Sequence, residues 1–234
     1  SFERWAVDGA RTGTVNLPSG VNLQIMRNQT GTQTINLNGG SIMGYLPRDW
    51  DQVAVIHTLA DSITINLQSN SYLGQPFSSS NNGLWDYTFY DIGKENTMGS
   101  DVNPTDLYLR GSYLQIDGVI QGNAGLTKVG KDVILLNGAN TYTGATVVEN
   151  GTLQIGRPNA LPVATSLVME ASNAMFDLNG NNQEVSELRG DAGSINNGAF
   201  ANNVLTVNQT TDTLYGGTVD GNITLHKVGA GKLT

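Results

Sequence analysis

Apolar residues recur along the chain in pairs at i and i+2 with a polar residue between them: Leu23/Ile25, Ile35/Leu37, Ile63/Ile65/Leu67, Leu107/Leu109, Leu114/Ile116, Leu153/Ile155, Phe176/Leu178, Leu205/Val207 and Ile223/Leu225. That alternation is the mark of a β-strand with one buried face. Between the pairs sit corner sequences, among them Asn38-Gly39-Gly40, Asn137-Gly138, Asn150-Gly151 and Asn179-Gly180, whose residues tolerate the left-handed backbone that tight turns require. No stretch of helical period and useful length interrupts the pattern, so almost no helix is predicted.

The pattern also repeats on a longer scale. Gly122-Asn123, Leu126-Thr127 and Lys128-Val129-Gly130 return as Gly221-Asn222, Leu225-His226 and Lys227-Val228-Gly229, an offset of 99 residues. A repeat unit that cannot bury its own apolar face must stack on a neighbour, which favours a solenoid over a β-sandwich. A coil of roughly twenty-odd residues predicts an all-β, parallel β-helix of about ten coils rising about 4.8 Å each. The second copy stops at Thr234 partway through the repeat, so the chain is expected to be a piece of a longer protein.

Two portions are expected. Residues 117–234 carry the regular coils, truncated within a repeat. Residues 1–116 are less regular, with loop excursions near 44–52 and 74–106. The longer excursion holds few alternating pairs and gathers Trp85, Asp86, Tyr87, Phe89, Tyr90 and Asp91; the shorter one holds Trp50 between Asp49 and Asp51. Irregular segments on a solenoid are where binding tends to reside, so Trp50, Trp85, Asp86, Tyr87, Phe89, Tyr90 and Asp91 are the candidate binding residues.

The run from Gly125 to Gly156 resembles the autotransporter-associated β-strand repeat of bacterial autotransporter passenger domains, the type V secretion proteins. The likeness rests on Leu126-Thr127-Lys128-Val129-Gly130, on Asn137-Gly138-Ala139-Asn140-Thr141-Tyr142-Thr143-Gly144 and on Asn150-Gly151-Thr152-Leu153-Gln154-Ile155-Gly156. Ala160-Leu161-Pro162 and Asp177-Leu178-Asn179-Gly180 follow where such repeats continue. Lys131-Asp132-Val133-Ile134 departs from the pattern, where glycine and small residues like those of Ala230-Gly231-Lys232-Leu233 are more usual. The resemblance covers about half the chain, roughly Asp117 to Thr234. It implies that the β-helix is right-handed and is displayed at the bacterial cell surface or secreted after cleavage. It also implies a signal peptide upstream and the parent protein's own outer-membrane β-barrel translocator downstream.

Within that unit, Gly125, Lys128, Gly130, Asn137, Gly138, Asn140, Tyr142, Gly144, Asn150 and Gly151 are structural repeat positions. Asn137 and Asn150 are expected to bond backbone groups at corners, locally or from coil to coil, with glycine supplying positive φ beside them. Tyr142 either plugs the rod or covers a strand.

Composition narrows the chemistry. Twelve Lys and Arg against twenty Asp and Glu leave a net charge of -8, which disfavours nucleic acid because counterion release needs clustered cations. The absence of cysteine excludes disulfides, zinc-thiolate sites and thiol catalysis. Gly125 to Lys131 has the spacing of a phosphate-binding loop, but Asp132 stands where Ser or Thr is needed and no helix follows. His57 and His226 lack the companions of a triad or zinc site and read as structural or surface residues. Asp101-Val-Asn103-Pro-Thr105-Asp106 lacks the Gly and Glu of a calcium loop. No cofactor, metal or catalytic residue is expected.

The reading that results is a non-enzymatic passenger fragment. It acts as an adhesin or self-association rod, or carries an adhesive or toxic module, with a host-cell surface or matrix receptor or a sister cell as partner. The competing readings are a plain stalk and a glycan-active β-helix enzyme that uses Asp49, Asp51, Asp86 and Asp91 beside their aromatic neighbours.

Overall fold

The computed structural model describes residues 2–5, 9–10, 12–25, 28–44, 56–60, 62–73 and 113–234. Among them the chain forms strands and turns without a helix. The first wall holds β1 (Phe2–Trp5), β4 (Asn22–Ile25), β7 (Ser41–Gly44), β10 (Ser71–Leu73), β13 (Leu126–Lys128), β15 (Thr146–Val148), β17 (Ser166–Met169) and β20 (Glu187–Arg189), hydrogen-bonded in that order. The second wall holds β2 (Gly9–Ala10), β5 (Gln29–Thr30), β8 (Ile56–Leu59), β11 (Tyr113–Ile116), β14 (Val133–Leu136), β16 (Gly151–Ile155), β18 (Ala174–Asp177), β21 (Ser194–Asn196) and β23 (Thr218–Val219). The third wall is split. One part contains β3 (Gly13–Pro18), β6 (Gln33–Asn38), β9 (Ile63–Leu67) and β12 (Ile120–Gly122), the other β19 (Gln183–Val185), β22 (Asn203–Asn208) and β24 (Ile223–Val228).

Paired neighbours within these named strands are parallel, each pairing with the strand of the next turn, so the chain is a β-solenoid of about eight turns, not ten. The difference has a topological cause. β10 pairs with both β7 and β13, and β11 with both β8 and β14. The described sheets therefore hold no level between β10 and β13 or between β11 and β14, although residues 74–112 separate β10 from β11 in sequence. Leu107 and Leu109, expected as a strand pair, lie outside the described residues. The walls also run without a break from the first half of the chain into the second.

Parallel stacking puts like on like inside the rod. Leu114, Ile134, Leu153, Phe176 and Ile195 occupy one inward file and Ile116, Leu136 and Ile155 the next, and all are essentially sealed from solvent. Each such side chain contributes about 1.5–3 kcal/mol of burial. Of the alternating pairs among the described residues, Ile223/Leu225 is the exception: Leu225 lies on the outermost strand of its sheet and is 41% exposed.

Candidate functional site

The repeat unit is organised around Lys128, whose side chain points into the rod at the position paired with Leu73 on one side and Val148 on the other. A buried ammonium needs compensation, and here four oxygens provide it. Nζ donates to the carbonyls of Val129 (2.8 Å), Gly130 (2.9 Å) and Asn150 (3.0 Å) and to Asp132 Oδ1 (3.1 Å). Burial pulls the lysine below its ordinary range, and the Asp132 carboxylate opposes that pull. Val129, Gly130 and Asp132 form the corner of the lysine's own coil, while Asn150 belongs to the same corner one coil on. The side chain thus closes one turn and ties it to the next. Gly130 and Gly151 make the corners possible, with φ of +72° and +65°; a Cβ on Gly151 would lie 2.8 Å from Nζ. Asp132 breaks the expected sequence pattern because it supplies the counter-ion. The second copy keeps the lysine, with Lys227 Nζ bonding the carbonyls of Val228 and Gly229, but has Ala230-Gly231 where that acid would stand.

Asn140 solves a different problem. The third wall is interrupted between β12 and β19, where segments around 137–144 and 156–165 replace strands. Asn140 Oδ1 accepts from Ile120 N (2.8 Å) and its Nδ2 donates to Ala160 O (2.9 Å), so one amide joins three successive coils. Gln183 ties two coils one level on, accepting from Leu161 N and donating to Leu161 O, both at 3.0 Å. A polar residue at an inward position is the sequence signal that points to Gln183, as it points to Thr146 and Thr165. Tyr142 fills the rod at the interruption. It is fully buried, its hydroxyl 2.5 Å from Thr146 Oγ1, which lies 3.0 Å from Thr165 Oγ1. Burial drives the Tyr142 phenol well above its usual range against the smaller opposing effect of the Thr146 bond. Of the two roles open to Tyr142, the structure gives the plug.

The other two asparagines correct the expected role. Asn137 does bond from coil to coil, but to a side chain: Nδ2 donates to Asp117 Oδ1 at 2.6 Å. Asn150 Oδ1 likewise accepts from Asn173 Nδ2 (2.8 Å), and only its backbone carbonyl serves the lysine. These amides sit on the outer edge of the corner, where the neighbouring coil presents polar side chains within reach. Gly125, Gly138 and Gly144 are positions of close approach. A Cβ there would press against Ala145 O (2.8 Å), Gly118 O (2.2 Å) and Gly125 N (2.3 Å).

The candidate binding residues Trp50, Trp85, Asp86, Tyr87, Phe89, Tyr90 and Asp91 lie outside the described residues, as do Asp49 and Asp51. Their anchor points are described. Residues 45–55 join β7 to β8 and residues 74–112 join β10 to β11; both connections run from the first wall to the second, on adjacent turns. At the same corner of other turns the link is only 129–132, 149–150, 170–173 or 190–193. Among the described residues no group of three or more His, Asp or Glu is placed to hold a metal ion.

Comparison with known proteins agrees with this geometry. Residues 126–155, the coil built on Lys128 and Asn140, match the Passenger-associated-transport-repeat family. The adhesin BmaC autotransporter of Brucella suis biovar 1 (strain 1330) is 31% identical over 145 residues, which is 60% of this chain; the chain spans 4% of that relative's length. No solved structure matches the chain. The chain thus carries a passenger-associated transport repeat in a parallel β-solenoid and is similar, over 60% of its length, to part of an autotransporter adhesin, a likeness to repeat-bearing autotransporter passengers that implies display on or secretion from the outer membrane.

Proposed function

We propose that this segment serves adhesion without catalysis. Its stacked coils hold two insertions, residues 45–55 and 74–112, toward a receptor on a host cell, in its matrix or on a sister cell. The observation that carries the reading is the shared corner. The strands that flank the two longest connections are neighbours on consecutive turns, about 4.8 Å apart, and those connections contain Trp50, Trp85, Asp86, Tyr87, Phe89, Tyr90 and Asp91 by sequence. Aromatic side chains are among the residue types that anchor interfaces. The name of the Brucella relative, an adhesin, supports the same reading.

The test is binding of the purified chain to cultured cells and to immobilised matrix proteins, with the aromatic set replaced by Ala in a parallel sample. Saturable binding that falls at least tenfold in the variant supports the reading. Undiminished binding by the variant moves the site to the coils, and no binding by either chain reduces the segment to a stalk. Turnover of a neutral glycan that Asp86→Asn or Asp91→Asn abolishes would favour the enzyme instead.

A further inference from the structure

The second and third walls meet at a corner whose connection differs from turn to turn. The link is 117–119 between β11 and β12 and 220–222 between β23 and β24, but 197–202 between β21 and β22. Phe200 lies in that longer loop with its whole side chain in solvent, 101% exposed. The following turn already stacks on this one, β23 on β21 and β24 on β22, so the exposure is not that of an open rod end. The loop is also pinned. Asn197, only 4% exposed, accepts from Gly180 N on the preceding turn (2.8 Å) and donates to Ala201 O (2.7 Å) and to Asn222 O on the following turn (2.9 Å). Asp177 Oδ1 accepts from Gly198 N (3.1 Å), and Asn222 Nδ2 donates to the carbonyl of Phe200 itself (3.0 Å). A backbone held in this way presents the ring with little freedom left to lose on binding.

The neighbours of the ring select its partner. Corners 178–182, 197–202 and 220–222 are rich in asparagine and glycine, carry no Lys or Arg and hold a single acid, Asp220. Asn202 and Asn222 are exposed. Asn202 Nδ2 donates to Thr224 Oγ1 (3.0 Å) and Asn222 Nδ2 to Phe200 O, and an amide has further donor and acceptor positions beyond one such bond. A sugar ring fits this combination. Its C–H face is apolar and weakly positive and lies well on the negative face of an aromatic ring, while its hydroxyls both donate and accept, as the amides do. A protein partner needs an apolar core of several residues, and here one ring stands among amides. An anionic glycan meets no cation and one repelling carboxylate, whereas a neutral glycan is indifferent to both.

We infer that Phe200, with Asn202 and Asn222, is a binding site for a neutral glycan, the ring stacking on the sugar and the two amides bonding its hydroxyls. It goes beyond the adhesive reading by naming a second site and its ligand class, at a different corner from the insertions, which join the first wall to the second. A single contact of this kind is weak and gains by multiple display.

The experiment is a glycan array probed with the purified chain multimerised on beads. The array carries glucose-, galactose-, mannose- and N-acetylglucosamine-terminated glycans beside sialylated and sulfated ones. The comparison is of the unaltered chain, Phe200→Ala, Phe200→Trp and the chain with the insertion aromatics replaced by Ala, with circular dichroism to confirm folding. The expected result is a signal on at least one neutral glycan that Phe200→Ala lowers at least about tenfold, as loss of an interface anchor does. Phe200→Trp and the insertion variant are expected to keep it. No signal on the neutral glycans, a signal confined to the anionic ones, or equal binding by a folded Phe200→Ala overturns the inference. Glycan binding lost in the insertion variant and kept by Phe200→Ala also overturns it while leaving the insertions standing, so the two readings fail separately.

Discussion

Lys128 Nζ and Asp132 Oδ1 lie 3.1 Å apart inside the rod, and both residues are almost wholly shielded from water. A pair of this kind is far costlier to break than to replace. Removing one partner strands a buried charge at about 3–5 kcal/mol, while exchanging both for apolar residues releases the desolvation cost of two ions. Asp132→Ala is therefore expected to destabilise by about 3 kcal/mol or more, and Lys128→Met/Asp132→Ala by clearly less than the sum of its single variants. Urea denaturation of the four chains of this double-mutant cycle measures the coupling. Simple additivity would mean that the ammonium is held by the carbonyls alone.

Asn140 holds the interrupted wall by bonding Ile120 N and Ala160 O. Asn140→Leu keeps the volume and leaves both backbone groups buried without a partner, a loss of about 2–6 kcal/mol at about 1–3 per group. Hydrogen exchange at the Ile120 amide is expected to accelerate at least tenfold in this variant, with amides of β24 unaffected.

The tyrosines set a limit at high pH. Burial, then the Asp220 carboxylate, pushes Tyr215 up to about 12, and burial raises Tyr142 further. A phenol with a raised folded-state pKa stays protonated in the folded chain while the unfolded chain loses its proton from about pH 10. The contribution of the two tyrosines to stability is therefore constant below that pH and falls as pH rises through the window above it. Tyrosinate absorbance at 295 nm and circular dichroism are expected to change together, and Tyr142→Phe to move the transition to higher pH.

Gln33 carries, among the described residues, a buried side-chain oxygen, Oε1, without a hydrogen-bond partner. It lies on β6 between Gly13 and Ile63. Gln33→Leu removes the unsatisfied oxygen and is expected to stabilise by about 1 kcal/mol, read as a rise in the thermal midpoint. A fall would show that the amide's remaining contacts outweigh the orphaned oxygen.

How far the sequence discloses the molecule differs from feature to feature. The i, i+2 pairs foretell the inward files because a strand's side-chain period is fixed at two, and Leu114/Ile116 and Leu153/Ile155 fall where that rule puts them. The number of turns is not legible in the same way, since nothing in the composition of residues 74–112 says that the strands before and after them belong to one turn; the pairing of β10 with β7 and β13 and of β11 with β8 and β14 shows it. Asp132 and Gln183 are missed for a related reason. Their partners are Lys128, four residues back across a turn, and Leu161, one coil below, and periodicity alone does not rank polar residues by what waits opposite them. Asn137 and Asn150 are found as corner residues, yet their acceptor and donor belong to Asp117 and Asn173 on neighbouring coils.

Adherence of cells displaying the parent passenger, with residues 45–55 and 74–112 each replaced by a four-residue link of the kind found at 129–132, bears most directly on the proposed function. Adhesion through the corner insertions requires that attachment be lost while surface display and the β signature of the rod persist. Full attachment by cells displaying that shortened rod would contradict it.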